Sequence, residues 1–385
     1  MLFETLICIE KNYDMAVPKP KCIVFISNHG DFIGGGEYSF VDLVEKLNST
    51  YHAVAVAPWA GAVIERFRQL FIPTRVVFLP SIRPWNIHRI VFAVIALVKA
   101  GRRVRARLLY ANGPRSAFYA GLSSRILGLP AVWHCRVAEK DPYLDPVLVR
   151  LCSVIVANSK ATANRFSPKI QKKVRVVYNG IPLGRFLSGF PSFNTGANKR
   201  DRILLVVARV SKAKRHDIAL TVFNRLSERF KNLHLVCIGA KDPNEPDWWD
   251  DLMDRTRRAR FPERIHWLGH LDDPSSWFAA ASILLHPSEN EGFGRVFVEA
   301  MAAGTPVVGS RSGGVPEIVR DGKDGFLARP GDADDFCDAV RRLLEDEALH
   351  RQCSENARIR ARSFSLERHV QAMTMLVEQA LDGSI

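Results

Sequence analysis

The sequence predicts an α/β protein of two Rossmann-like, doubly wound parallel-sheet domains that face a cleft. Three observations lead there. At 385 residues, the chain exceeds what one compact core usually sustains. Short Val/Ile/Leu-rich runs alternate with amphipathic stretches of helical period, as parallel strands buried on both faces do. That alternation stops once, in a segment rich in Gly, Ser, Pro and Asn, and then restarts.

In chain order, residues 1–20 stand outside the fold as an N-terminal tail. Their short apolar stretch sits among Glu4, Glu10 and Asp14, which makes a poor signal peptide. The first domain, 21–188, opens with a strand over 22–27, a glycine-rich turn and a helix over 38–47. Strands over 53–57, 75–79, 108–111, 131–134, 154–157 and 174–178 follow. Apolar periodicity then lapses from 184 to 200, with 189–200 as the linker. The second domain, 201–365, repeats the pattern: strands over 202–207, 233–238, 265–268, 283–286 and 306–309, with helices from 216 and over 294–303. A last helix over 366–385 is free to pack back on the first domain. Ligands of such sheets bind beyond the carboxyl ends of the strands, so two such domains would share one across their cleft.

Composition narrows the partners. Lys and Arg number 54 against 40 Asp and Glu, a formal charge of +14 that suits phosphate groups, nucleic acid or an anionic membrane surface. Seven scattered cysteines, with no C-x-x-C pair, argue against a disulfide scaffold or zinc site and for a reducing cytoplasm. No apolar run approaches the roughly 20 residues of a membrane span. The charge concentrates behind the apolar stretch 87–98, where Lys99, Arg102, Arg103, Arg105 and Arg107 follow. Two readings stand for that segment: a core-covering helix with a solvated basic end, or a peripheral contact with the inner face of a membrane. Nucleic acid fits poorly, because no aromatic stacking platform accompanies the cations.

The residues that carry chemistry cluster at strand ends. The stretch HPSENEGFGRVFVE runs from a strand through a glycine-bearing turn into a helix that starts near Gly294 and Arg295. The helix start offers unpaired N–H groups and the positive end of its dipole, a seat for phosphate. Glu299, inside the helix, suits two adjacent hydroxyls such as those of a ribose. Glu291, on the turn, could bind hydroxyls of a second group beyond the phosphates. A solvated helix start would account for Glu291 alone, but it accounts poorly for the whole run. In VARVSKAKR, Arg209 and Lys214 follow a strand end and can neutralise a diphosphate. GGGE follows the first strand, and Gly34 and Gly35 permit close approach to an anion, although the pattern is not G-x-G-x-x-G. His134 ends the strand AVWH, with Arg136 two residues on. Lys160 follows VIVA.

EGFGRVFVE, two glutamates separated by seven residues, resembles the signature of the retaining glycosyltransferase family 4 with the GT-B fold. The resemblance continues through AMAAGTPVVGSRSGGVPEIV and includes GGGE, NGIPLGRF and VARVSKAKR in the family's order. It implies transfer of a sugar from a nucleotide diphosphate sugar to a sugar or lipid-linked acceptor, with anomeric configuration retained and no cofactor or metal. Glu291 and His134 would be catalytic. Arg209, Lys214, Gly34, Gly35, Gly294 and Arg295 would hold the diphosphate, and Glu299 the ribose. LGHLDD resembles the base-binding segment, so Leu268 and His270 would read the base. His270 replaces an acidic residue of some guanine-binding relatives, which favours a UDP-sugar over a GDP-sugar. Arg136 and Lys160 would meet an acceptor or its phosphate. Two rival readings remain: a phosphorylase or epimerase of the same fold, and a non-catalytic sugar-nucleotide scaffold.

Overall fold

The computed structural model describes residues 20–186 and 201–385, so the N-terminal tail through residue 19 and the 189–200 linker lie outside the described residues. The described residues form thirteen strands in two sheets, and every pairing among them is parallel. The first sheet contains β1 (Cys22–Ser27), β2 (His52–Ala57), β3 (Thr74–Val76), β4 (Ala106–Asn112), β5 (Ala131–Cys135), β6 (Val154–Ala157) and β7 (Val174–Val176), in the order 3-2-1-4-5-6-7. The second contains β8 (Arg202–Val207), β9 (Leu233–Ile238), β10 (Ile265–Gly269), β11 (Ile283–His286), β12 (Val307–Ser310) and β13 (Gly325–Ala328), in the order 10-9-8-11-12-13. The central strands are buried along almost their whole length because helices cover both faces.

The edges depart from expectation. The strand expected over 75–79 is only the three-residue β3, and that expected over 174–178 is the three-residue β7. Each pairs on one side alone, so its ladder ends once the neighbouring strand does. The helix expected from residue 38 begins at Gly35, because the Glu37 carboxylate accepts the Gly34 N–H at 3.2 Å and caps the first turn. Trp248 and Trp249 lie on the helix Pro246–Arg257 and pack against the core of the second domain.

Each sheet reverses its strand order once, between β1 and β4 in the first and between β8 and β11 in the second. Connections leave opposite faces at such a point and open a crevice at the carboxyl ends. The two crevices face each other across a cleft of about 470 Å³. The final helix, Leu366–Asp382, holds the domains in this relation. Its Met373, Leu376, Val377 and Ala380 complete the core around Phe40, Val44 and Tyr51 of the first domain. Tyr51 Oη donates to Glu378 Oε1 at 2.7 Å. No helix among the described residues is long and apolar enough to cross a membrane.

Candidate active site

The wall supplied by the second domain grows from two strand ends. Beyond β8, Arg209 reaches Asp242, with Nε 3.3 Å from Oδ2, and a single 3-10 turn brings Lys214 over the cleft. Beyond β11, the chain turns through Glu291 and Gly292 to the helix Arg295–Ala303. Gly294 caps that helix at φ +87°, a left-handed conformation, and a Cβ there would come 2.7 Å from the Phe297 ring. Gly292 is needed for another reason: its missing Cβ would lie 2.3 Å from the Arg136 carbonyl oxygen across the cleft.

Glu291 is the electrostatic centre of this wall. Lys214 Nζ donates to its Oε1 at 2.5 Å, and His286 Nε2 donates to the same oxygen at 3.0 Å. Burial alone would raise the carboxyl pKa. The Lys214 charge and the His286 hydrogen bond outweigh burial and hold it well below the usual carboxylate range. Glu291 is therefore ionised at any physiological pH. His286 ends β11 directly before the motif, yet nothing in the spacing marked it as the second partner of Glu291.

Arg295 and Glu299 lie one helical turn apart, and Arg295 Nε donates to Glu299 Oε1 at 2.6 Å. Arg295 lines the cleft and also carries a contact between the domains. Its guanidinium spans the interface, where Nη1 donates to Asp42 Oδ2 at 2.8 Å and Ser39 Oγ at 3.2 Å on the first domain. The charge joins two carboxylates and two domains, and the helix that it opens presents its N-terminal end to the cleft.

The first domain supplies the opposite wall. Gly34, Gly35 and Gly36 line it, and Arg136 lies against Gly36. Arg136 is fixed by neutral groups: Nε donates to Asn112 Oδ1 at 2.5 Å and Nη1 to Asn179 Oδ1 at 2.6 Å. Its buried Nη2 has no partner. Among the described residues, no carboxylate lies within ion-pair distance of Arg136. His29, which follows β1, also lines this wall, and burial lowers its pKa, helped by the charges of Arg115 and Arg209.

Three of the expected site residues lie outside the cleft lining. His134 is fully buried beneath the first-domain wall, paired with Tyr110 Oη and 6.2 Å from the His369 ring of the final helix. Burial holds its pKa well below the ordinary value, so it is neutral and out of contact with the cleft. Lys160 does not line the cleft. Its backbone N–H and that of Ala161 donate to the Glu317 carboxylate of the second domain at 2.8 Å each, which docks the domains together. Leu268 packs into the second-domain core, and the cleft is lined instead by His270, Leu271 and Asp272 beyond β10.

Comparison with known proteins agrees with this architecture. The family model described as Glycosyltransferase Family 4 matches residues 33–185, and that described as Glycosyl transferases group 1 matches residues 191–360. A D-inositol 3-phosphate glycosyltransferase of a Nocardioides species is 41% identical over 242 residues, 57% of this chain and 52% of that relative. An N-acetyl-alpha-D-glucosaminyl L-malate synthase of Bacillus anthracis is 28% identical over 232 residues, 58% of this chain and 59% of that relative. The matched stretch thus spans about half the length of these curated relatives. Among solved structures, Anabaena HepE in complex with UDP-glucose superposes with a TM-score of 0.81 at 23% identity, over 93% of this chain and 99% of its own. A glycosyltransferase from Rickettsia africae superposes with a TM-score of 0.83 at 15% identity, over 94% and 99%. The two family models, one on each domain, and the paired sheets around the cleft show that the chain belongs to the family 4, group 1 glycosyltransferases of the GT-B fold.

Proposed function

We propose that the protein transfers a sugar from a nucleotide diphosphate sugar, with a UDP-sugar preferred, to an acceptor hydroxyl, and that it retains the anomeric configuration. The observation that carries this reading is the Lys214–Glu291–His286 cluster, set between the carboxyl ends of two facing sheets beside a helix start. Breaking the bond between the anomeric carbon and its phosphate oxygen leaves negative charge on the diphosphate and positive character on the sugar. Arg209, Lys214 and the N–H groups following Gly294 meet the first charge. Glu291 is already ionised, and it answers the second.

Both bonds to Glu291 fall on Oε1. That leaves Oε2 to accept from a sugar hydroxyl and orient the ring. Glu299 binds Arg295 through Oε1 and offers Oε2 to a ribose hydroxyl. The acceptor enters against the first-domain wall near Arg136, attacks the face from which the diphosphate departs, and passes its proton to that leaving phosphate oxygen. Arg209 and Lys214 supply the neutralising charge in this scheme, so chelators are expected to leave the rate unchanged. The UDP preference is supported by His270 at the base end of the cleft and by the UDP-glucose complex of the HepE structure.

A panel of UDP- and GDP-sugars tests the reading, with binding followed by thermal shift and the product anomer by NMR. Stabilisation by one UDP-sugar and an unchanged anomeric configuration are expected. An inverted product would overturn retention. Binding of a nucleotide sugar without transfer to any acceptor would favour the scaffold.

A further inference from the structure

The helix Ile87–Arg103 has two apolar faces where a surface helix needs one. Ile90, Ala93, Val94, Leu97 and Val98 are buried against the first-domain sheet. The opposite face is exposed and largely apolar over its first three turns, with Ile87, Val91, Phe92 and Ile95 in the open beside His88 and Arg89. Phe92 is 70% accessible, and Trp85, in the short turn that leads into the helix, is 67% accessible. Exposed Phe78, just beyond the edge strand β3, lies next to this surface in the chain. Single exposed apolar residues are ordinary, whereas a contiguous ridge with two large aromatic rings marks a surface that meets something apolar.

The last two turns of the same exposed face change character. Lys99, Arg102 and Arg103 join Arg75 of β3 around a groove of about 630 Å³ between the helix and the sheet edge. Among the described residues, none of these four cations has a carboxylate partner. The contrast with the cleft is direct, since Arg209, Lys214 and Arg295 are each paired there. Uncompensated cations next to an apolar ridge are complementary to a surface that is itself anionic on the outside and apolar within.

We propose that this face lies on an anionic lipid leaflet. Trp85, Phe92 and their aliphatic neighbours enter the headgroup–acyl boundary, and Arg75, Lys99, Arg102 and Arg103 hold lipid phosphates. The helix follows β3 and runs back against the parallel strands, so its apolar end lies toward the carboxyl edge of the sheet, where the cleft opens. A bound leaflet would therefore lie on the cleft side of the first domain. This surface is separate from the donor-binding wall and does not depend on the reaction proposed above.

Co-sedimentation of the full chain with vesicles of phosphatidylcholine, with and without phosphatidylglycerol, tests the proposal. The chain should pellet with the anionic vesicles, remain in solution with the neutral ones, and be released as salt rises. Neutralising Lys99, Arg102 or Arg103 singly to Gln should weaken partition about fivefold each. Trp85→Ser and Phe92→Ser should also weaken it without moving the unfolding temperature, because both side chains already face solvent. Equal pelleting with both vesicle types, or partition that ignores these substitutions, would overturn the proposal. So would a concentration-dependent dimer abolished by Phe92→Ser, which would give the ridge to a second copy of the chain.

Discussion

The two walls of the cleft are charged in opposite styles. On the second-domain wall each cation is matched: Arg209 with Asp242, Lys214 with Glu291, and Arg295 with Glu299 and Asp42. On the first-domain wall Arg136 is held by two side-chain amides and keeps its full charge. A matched cation costs little to bury and gives a stable, preorganised surface, but its field is partly cancelled. A cation held by neutral dipoles is oriented as firmly and projects its field into the cleft. The second-domain wall is thus suited to a ligand that reorganises charge during reaction, and the first-domain wall to one that is simply anionic or strongly polar.

The largest expected effect breaks the matched wall at its centre. Glu291→Gln keeps the size and a hydrogen-bonding oxygen but removes the charge, so Lys214 loses its ion pair. Steady-state transfer should fall about 10²–10³-fold, while donor affinity, read by thermal shift, changes little. A loss of donor affinity with unchanged turnover would move Glu291 from the sugar to the nucleotide.

Arg136→Met tests the opposite wall. It removes a charge fixed by Asn112 and Asn179 and leaves the matched pairs intact. The expected loss is about 10–100-fold, concentrated in the acceptor KM, the range for a hydrogen bond to a charged group. If the donor KM rises instead, the division between the walls is wrong. Glu299→Ala should act less strongly, raising the donor KM about tenfold with kcat nearly constant. Part of that rise would come from Arg295, which loses one of its two carboxylates.

The matched wall was more legible in the sequence than the other, for a physical reason. Glu291, Gly294 and Glu299 fall within one turn and one helix, so local spacing places them together. Arg209 and Lys214 follow a neighbouring strand end at the switch point of the same sheet. Contacts made by distant parts of the chain were not legible. His134 sits at a strand end, as a site residue would, but the final helix brings His369 beside it and keeps it from the cleft. Arg295 opens a helix, as a phosphate ligand would, yet Asp42 of the other domain takes one nitrogen. Lys160 follows a strand, but Glu317 claims the backbone there. Both sheets and their alternation were readable because parallel strands advertise themselves as apolar runs. The three-residue edge strands were not, since their ends depend on where a neighbour stops.

The smallest expected effect separates the walls by acid. Behind the first-domain wall His134 and His369 are buried and neutral, and burial and the Arg136 charge lower the His369 pKa to about 3. In the second domain, His216 is lowered to about 3, chiefly by burial. Each binds a proton in the unfolded chain below about pH 6.5 and refuses it when folded. The unfolded state therefore holds more protons below that pH, and stability falls as pH drops, by at most about 1.4 kcal/mol per pH unit for each histidine. Glu291 has the opposite timing. Its folded pKa is depressed, so its contribution is present above the usual carboxylate range and is lost only in stronger acid. Between pH 7 and 5 these buried histidines should lower the unfolding midpoint, with the Lys214–Glu291 pair intact. His369→Gln retains a donor for the Tyr178 carbonyl, which His369 Nδ1 now meets at 2.7 Å, and removes one titrating group. Thermal melts across that pH range should show a shallower slope for the variant than for the parent chain. Parallel slopes would mean that His369 takes up no proton on unfolding, and that the first-domain wall owes its acid sensitivity to another group.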